Sequence, residues 1–73
     1  MNQKTYIALI VDDEPDILEL LDITLSRMDI KTYSAENVTQ AKNLLREYNF
    51  DLCLTDMRLP DGSGIELIKY IQE

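Results

Sequence analysis

The sequence contains no histidine and no tryptophan, one cysteine, and only two prolines and two glycines. Without histidine, Ser/His/Asp and Cys/His catalysis and zinc sites with a histidine ligand are excluded. The single cysteine, Cys53, excludes an internal disulfide and is typical of a reducing, intracellular setting. The polar N-terminus, residues 1–5, does not resemble a signal peptide, and the apolar run after it is too short to span a membrane. These absences predict a cytoplasmic protein.

Basic residues are also scarce, with 7 Lys and Arg against 14 Asp and Glu, for a net charge of −7 at pH 7. A surface this negative repels phosphate backbones and anionic lipids, so we expect no direct binding to nucleic acid or membrane. Concentrated carboxylates indicate a cation site or a basic partner instead. Leu, Ile, Val and Phe make up about 30% of the chain, above the roughly 20% that marks disorder in highly charged chains. The 73 residues should therefore fold, as one small domain at most.

Short apolar runs alternate with segments of helical periodicity, which predicts an α/β fold with a parallel sheet. Strands are predicted at residues 6–11, 31–34 and 51–55, and a loop at residues 57–62. The first strand is apolar throughout, as strands buried on both faces are. The second mixes charged and polar residues, which suits an edge strand. The predicted strand order is 2-1-3, with the first strand in the centre.

A helix is predicted after each strand. The first begins at Pro15, which suits the first helical position, and runs to about Met28. The second begins near Asn37, and the third opens with a capping box formed by Ser63 and Glu66 and continues to the end of the chain. The apolar stripes expected to face the core are Ile17, Leu21, Leu25 and Met28; then Val38, Ala41, Leu45 and Tyr48; then Ile65, Ile68 and Ile71 with Leu67 beside them.

Aspartates follow two of the three predicted strands. Asp12 and Asp13 come directly after the first, and Asp56 follows the third. Right-handed crossovers keep the strands parallel, and ligands of such sheets bind at the carboxyl ends where the strand order reverses. We therefore expect the three carboxylates to converge on one pocket. A Mg²⁺ ion would relieve their mutual repulsion, and a carboxylate can also act as a nucleophile on phosphorus.

Each piece of this pattern also has a simpler interpretation. Residues 12–16 fit an acidic helix start that favours the helix dipole and has no further role. Asp56 fits the beginning of a turn, where aspartate is common. Cys53 fits a core position on a buried strand. The joint placement of the aspartates at two neighbouring strand ends is what favours a site.

The residues around these aspartates resemble the N-terminal part of a bacterial response-regulator receiver domain. The matching features are the run Val11-Asp12-Asp13-Glu14, the single Asp56, Pro60 four residues after it and Gly64 eight residues after it. Residues 55–64 are especially similar to transcriptional activators of the nitrogen-regulation and type IV pilus type. The resemblance implies a flavodoxin-like fold in a two-component signalling protein.

The resemblance also implies a role for each matching residue. Asp56 would be the phosphoacceptor, taking a phosphoryl group from the phosphohistidine of a sensor histidine kinase. Asp13 and Asp56 would ligate Mg²⁺ directly, Asp12 would do so through water, and the main-chain carbonyl of Arg58 would complete the protein ligands. Such a module is no enzyme beyond its own phosphorylation and dephosphorylation, and it regulates transcription through an effector domain.

Members of that family continue through two more strands and two more helices. We therefore interpret residues 1–73 as an incomplete receiver domain, without the Ser/Thr of the fourth strand, the Lys of the fifth, or an effector domain. Its third strand would be an open edge, and a single core of this size supplies only about 3–5 kcal/mol. This predicts that self-association or another chain covers the edge.

Two alternatives come from other classes of protein. A phosphatase of the haloacid-dehalogenase type also uses a strand-end aspartate and Mg²⁺, but it needs a second aspartate where this chain has Arg58. The missing half of the fold allows a receiver-like interaction module without phosphotransfer, although the intact aspartates argue against this alternative. A dinucleotide-binding unit is excluded because no glycine-rich turn follows the first strand.

Overall fold

Three strand–helix units, the last interrupted by a short hairpin, make up residues 5–72, the part of the chain that the computed structural model describes. In chain order the elements are β1 (Tyr6–Val11), α1 (Pro15–Ser26), β2 (Ile30–Ala35), α2 (Val38–Glu47), β3 (Leu52–Thr55), β4 (Arg58–Leu59), β5 (Gly62–Ser63) and α3 (Gly64–Gln72). The predictions of a polar N-terminus and of a third helix reaching residue 73 fall partly on residues 1–4 and 73, which lie outside the described part. None of the helices within residues 5–72 has the length and hydropathy of a membrane span.

The three longer strands form a parallel sheet in the order β2-β1-β3, so the predicted order is confirmed. Ala8 of β1 pairs with Thr32 on one side and with Leu52 on the other. The central place of β1 explains its composition, because Ala8–Val11 are buried beneath helices on both faces of the sheet. Among the described residues, β3 pairs with β1 alone.

Alternate side chains of β1 enter two separate core layers, as the pleat of a strand requires. On one face, Ala8 and Ile10 pack against Leu18 and Leu25 of α1. The opposite face is covered by α2, α3 and the segment between β3 and α3. Its buried residues are Leu9, Val11, Ala35, Val38, Ala41, Leu59 and Leu67, with Cys53 packed against them.

Helix α1 differs from its prediction in length and in orientation. It ends at Ser26 because the chain reverses at Asp29, which adopts a left-handed φ of 61° that aspartate tolerates. Its buried residues are Leu18 and Leu25, and the predicted core residue Met28 lies beyond the helix and is exposed. Ile17 is likewise exposed, whereas Leu25 is buried and Leu21 packs against the same layer, so the predicted stripe is confirmed in its middle and wrong at both ends.

Helix α3 presents Gly64 and Leu67 to the core, three residues apart on one side of the helix. Leu67 is fully buried, whereas Ile65, Ile68 and Ile71 are between 44% and 50% exposed. The predicted isoleucine stripe is therefore not the core face. The capping box is observed in one direction, with the Ser63 hydroxyl accepting the Glu66 N–H at 3.4 Å.

Residues 57–62 are not the open loop that the sequence predicts. Arg58 pairs with Ser63 and Leu59 with Gly62 in an antiparallel hairpin, which leaves only Pro60 and Asp61 at its tip. We call residues 58–63 the site hairpin. Leu59 is buried in the core, which holds the hairpin against the sheet. This contact depends on the tertiary fold and carries no local sequence signal.

Candidate metal centre

Three aspartates meet at the carboxyl edge of the parallel sheet. Val11 of β1 pairs with Thr55 of β3, so the residues that follow these two strands emerge side by side. As a result, one carboxylate oxygen each of Asp12, Asp13 and Asp56 lies within 4.8 Å of the others. The expected convergence of these three carboxylates is present in the fold.

Main-chain hydrogen bonds hold two of these aspartates in place. The Asp12 N–H donates to the Ala35 carbonyl at 3.1 Å, and the Asp56 N–H donates to the Val11 carbonyl at 2.9 Å. Both bonds extend the sheet by one residue beyond its strands. The Asp12 carboxylate also accepts the Glu14 N–H at 2.9 Å, which turns the chain into α1. Glu14 itself is the residue before the helix, and its side chain makes no capping hydrogen bond.

Arg58 reaches the site through its main chain. Its N–H lies 3.4 Å from Oδ1 of Asp56, a long hydrogen bond that limits rotation of the carboxylate. The Arg58 side chain is exposed. This placement agrees with a main-chain role for Arg58, and metal ligation by its carbonyl remains a prediction.

Gly64 packs against the backbone of the site. A Cβ at this position would lie 2.5 Å from the Asp56 carbonyl oxygen and 3.0 Å from Cγ2 of Thr55. The Gly64 N–H donates to the Met57 carbonyl at 3.1 Å, and the Thr55 hydroxyl donates to the Asp56 carbonyl at 2.9 Å. A side chain at residue 64 would therefore displace the segment that carries Asp56. The spacing of eight residues between Asp56 and this glycine has a steric cause.

A cavity of about 370 Å³ adjoins the acidic cluster. Its lining includes the polar residues Asp12, Thr55 and Asp56 and the apolar residues Ile17, Leu21 and Leu54. Cys53 lies on the opposite side of β3 and belongs to the core, where burial raises the pKa of its thiol. The interpretation of Cys53 as a core residue agrees with this position.

A fourth aspartate near the site has partners that the sequence did not indicate. Asp61, at the tip of the site hairpin, accepts hydrogen bonds from the N–H groups of Val38 and Thr39 at 2.7 and 3.0 Å. Its carboxylate also accepts the Thr39 hydroxyl at 2.7 Å. These bonds, that of the Thr39 hydroxyl foremost, lower the pKa of Asp61. Sequence reasoning could only have noted that the start of α2 needs acceptors for its first N–H groups.

Comparison with known proteins agrees with this fold. Residues 8–73 match the family described as the response regulator receiver domain. The chain belongs to this family, and the predicted resemblance is confirmed.

The proteins similar to this chain include response regulators and solved receiver domains. The response regulator protein PilR of Pseudomonas aeruginosa is 68% identical over 66 residues, which cover 90% of this chain and 15% of PilR. The signal receiver domain of an HD domain-containing protein from Pseudomonas fluorescens superposes with a TM-score of 0.88 at 29% identity, covering 99% of this chain and 53% of that one. A structure of histidine kinase ThkA in complex with the response regulator TrrA gives a TM-score of 0.86 at 35% identity, covering 93% and 59%. This chain thus spans little more than half of the solved chains that it matches.

Proposed function

We propose that this chain is the phosphoacceptor module of a two-component response regulator, and that Asp56 accepts a phosphoryl group in the presence of Mg²⁺. The observation that carries the proposal is the meeting of the Asp12, Asp13 and Asp56 carboxylates in a chain of the receiver family. Transcription would be regulated through an effector domain, and the similar protein GlrR of Escherichia coli, a transcriptional regulatory protein, supports this. The module would have no enzymatic activity beyond its own phosphorylation and dephosphorylation.

The donor set fits Mg²⁺. All three groups offer hard carboxylate oxygens, which are the ligands that Mg²⁺ prefers. These oxygens lie within 4.8 Å of one another, close enough for one small divalent cation to be shared among them. Asp13 and Asp56 would bind the ion directly, Asp12 would bind through water, and the Arg58 carbonyl would add a main-chain ligand. The bound ion would neutralise charge between the carboxylates and the incoming phosphoryl oxygens.

Asp56 itself performs the chemical step. One of its carboxylate oxygens forms a bond to phosphorus while the bond from phosphorus to the kinase histidine nitrogen breaks. The nitrogen keeps the electron pair, and the product is an acyl phosphate on Asp56. The Arg58 N–H restrains the attacking carboxylate, which lowers the entropy lost in reaching the reactive geometry.

The phosphoryl donor would be a sensor histidine kinase. The solved complex of ThkA with TrrA supports a kinase partner for a receiver of this fold. Self-association, or cover by another chain, remains a prediction, and the exposed isoleucines of α3 support it. A cytoplasmic location and the lack of direct nucleic-acid or membrane binding also remain predictions from the composition.

Intact mass after incubation with acetyl phosphate and Mg²⁺ tests the proposal. We expect the wild type to gain the mass of one phosphoryl group and the Asp56→Asn variant to gain none, because the amide cannot act as the nucleophile. Glu19→Gln is the matched control, since Glu19 is an exposed acidic residue outside the cluster. No adduct on the wild type would favour the interaction module without phosphotransfer. Sustained turnover of a phosphate ester would favour the phosphatase, which Arg58 at the acid/base position already disfavours.

A further inference from the structure

The site hairpin is fastened at its tip to a helix on one face of the sheet. We propose that Asp61 is a positioning residue, which caps α2 from the tip of the site hairpin and thereby holds Asp56 and the Arg58 main chain in place. The inference rests on the proposed function, because it concerns the metal and phosphoryl site described there. Asp61 itself touches neither the metal ligands nor the reacting group.

The contacts at the tip use both oxygens of one carboxylate. Oδ1 accepts the Val38 N–H at 2.7 Å, and Oδ2 accepts both the N–H of Thr39 at 3.0 Å and its hydroxyl at 2.7 Å. Asp61 lies 23 and 22 residues along the chain from these partners, so the bonds join separate elements. A carboxylate at the positive end of a helix dipole is also favoured electrostatically.

Helix α2 depends on Asp61 because its local cap satisfies only part of its first turn. The Asn37 side chain accepts the Gln40 N–H at 2.8 Å, which is a normal N-cap bond. The N–H groups of Val38 and Thr39 precede the first bonds within the helix, and Asp61 is the acceptor for both. The start of α2 is therefore capped by two residues, one local and one from the site hairpin.

The site hairpin has little freedom between its tip and its base. Only Pro60 and Asp61 lie outside its two paired positions, and Leu59 is buried. At Gly62, an added Cβ would lie 3.0 Å from Cγ2 of Val38, so the hairpin also packs directly on the start of α2. The base continues into the Arg58 N–H that reaches the Asp56 carboxylate at 3.4 Å. Release of the tip should therefore displace the segment that carries Asp56.

Three variants separate positioning of the site from simple capping of the helix. Asp61→Ala removes every bond of this carboxylate, and Asp61→Asn keeps one acceptor oxygen and nearly the same shape. Asn37→Ala is the matched control, because it removes a cap bond from the same helix and none from the site hairpin. Mg²⁺ affinity would be measured by titration of amide NMR signals, at a temperature at which melting curves show each protein folded.

We expect Asp61→Ala to weaken Mg²⁺ binding by about threefold or more, below the 10–100-fold seen when a direct partner of a ligand is removed. Asp61→Asn should be intermediate, and Asn37→Ala should match the wild type. Before Mg²⁺ is added, the amide NMR signals of Met57 and Arg58 in the Asp61 variants should be shifted from their wild-type positions. In Asn37→Ala they should keep those positions.

Equal affinity in Asp61→Ala and the wild type would overturn the inference, as would an equal loss in Asp61→Ala and Asn37→Ala. If Asp61→Ala does not fold, Asp61→Asn provides the same comparison. Failure of the wild type to bind Mg²⁺ would contradict the proposed function instead. The signals of Met57 and Arg58 without Mg²⁺ would then still decide whether Asp61 holds the segment that carries Asp56.

Discussion

Two helices begin at the carboxyl edge of the sheet, and their aspartates have different partners. At the start of α1, Asp12 and Asp13 lie together with Asp56, and the side chain of the preceding Glu14 forms no cap bond. At the start of α2, Asn37 and Asp61 accept the first three N–H groups of the helix. The clustered carboxylates at α1 are consistent with a ligand site, whereas the single carboxylate at α2, that of Asp61, stabilises structure. Residue type alone does not distinguish the two.

The largest expected difference between the two helix starts is in metal binding. Asp13→Ala should weaken Mg²⁺ binding by more than about tenfold, because it removes a direct carboxylate ligand. Without Mg²⁺, its melting temperature should equal or exceed that of the wild type, since one repelling charge is gone. Calorimetric titration and thermal melts measure the two effects, with Glu19→Gln as the control. A destabilised Asp13→Ala protein would show that Asp13 has a structural role at α1.

The next most sensitive position should be Gly64, the residue that directly follows the site hairpin. Gly64→Ala places a Cβ 2.5 Å from the Asp56 carbonyl oxygen, a backbone atom that cannot move without the segment that carries Asp56. We expect a loss of about 1–3 kcal/mol in the free energy of unfolding, measured by urea denaturation. Gly62→Ala is a useful comparison, because its shortest contact, 2.7 Å, is with the flexible carboxylate of Glu66. A larger loss of unfolding free energy in Gly62→Ala than in Gly64→Ala would show that the backbone contact at Gly64 is not the more restrictive of the two.

A smaller effect is expected at the local cap of α2. Asn37→Ala removes the bond to the Gln40 N–H and should cost about 1 kcal/mol of unfolding free energy. Because Asp61 still caps the two preceding N–H groups, the helix should persist in far-ultraviolet circular dichroism. Loss of α2 in this variant would show that Asp61 alone cannot maintain the helix start.

The smallest expected effect is a change with pH in the stability that Asp61 contributes by capping α2. The pKa of Asp61 is lowered in the folded protein, so its contribution to stability is complete above the pKa of an unfolded aspartate and is lost as pH falls through the folded value. The difference in melting temperature between the wild type and Asp61→Asn should therefore be full near neutral pH and shrink below about pH 4. Asn37→Ala, which changes no ionisable group, should show no such convergence. If the difference in melting temperature between the wild type and Asp61→Asn is constant with pH, the ionised carboxylate of Asp61 does not stabilise the start of α2.

Several features of the fold could be predicted because they depend on local pattern. The uniformly apolar run Tyr6–Val11 indicated a central strand, and the polar residues of β2 indicated an edge. Pro15 and Asn37 marked the starts of two helices correctly. Other features were missed because they depend on contacts between distant segments. Leu67 rather than its neighbouring isoleucines faces the core, since the rotation of α3 follows from the close approach of Gly64 to Asp56.

The sequence by itself determined the alternation of elements, the strand order and the identity of the three aspartates at the strand ends. It could do so because the burial of a strand and the start of a helix depend on residues that are neighbours along the chain. The convergence of these three carboxylates followed from the strand order, and only the tertiary structure decided that the Asp61 carboxylate caps a helix. Asp61 and Val38 are 23 residues apart, and no local pattern records that a hairpin tip will meet a helix start. That contact exists because Leu59 and Val38 enter the same core layer, which only the folded chain brings together.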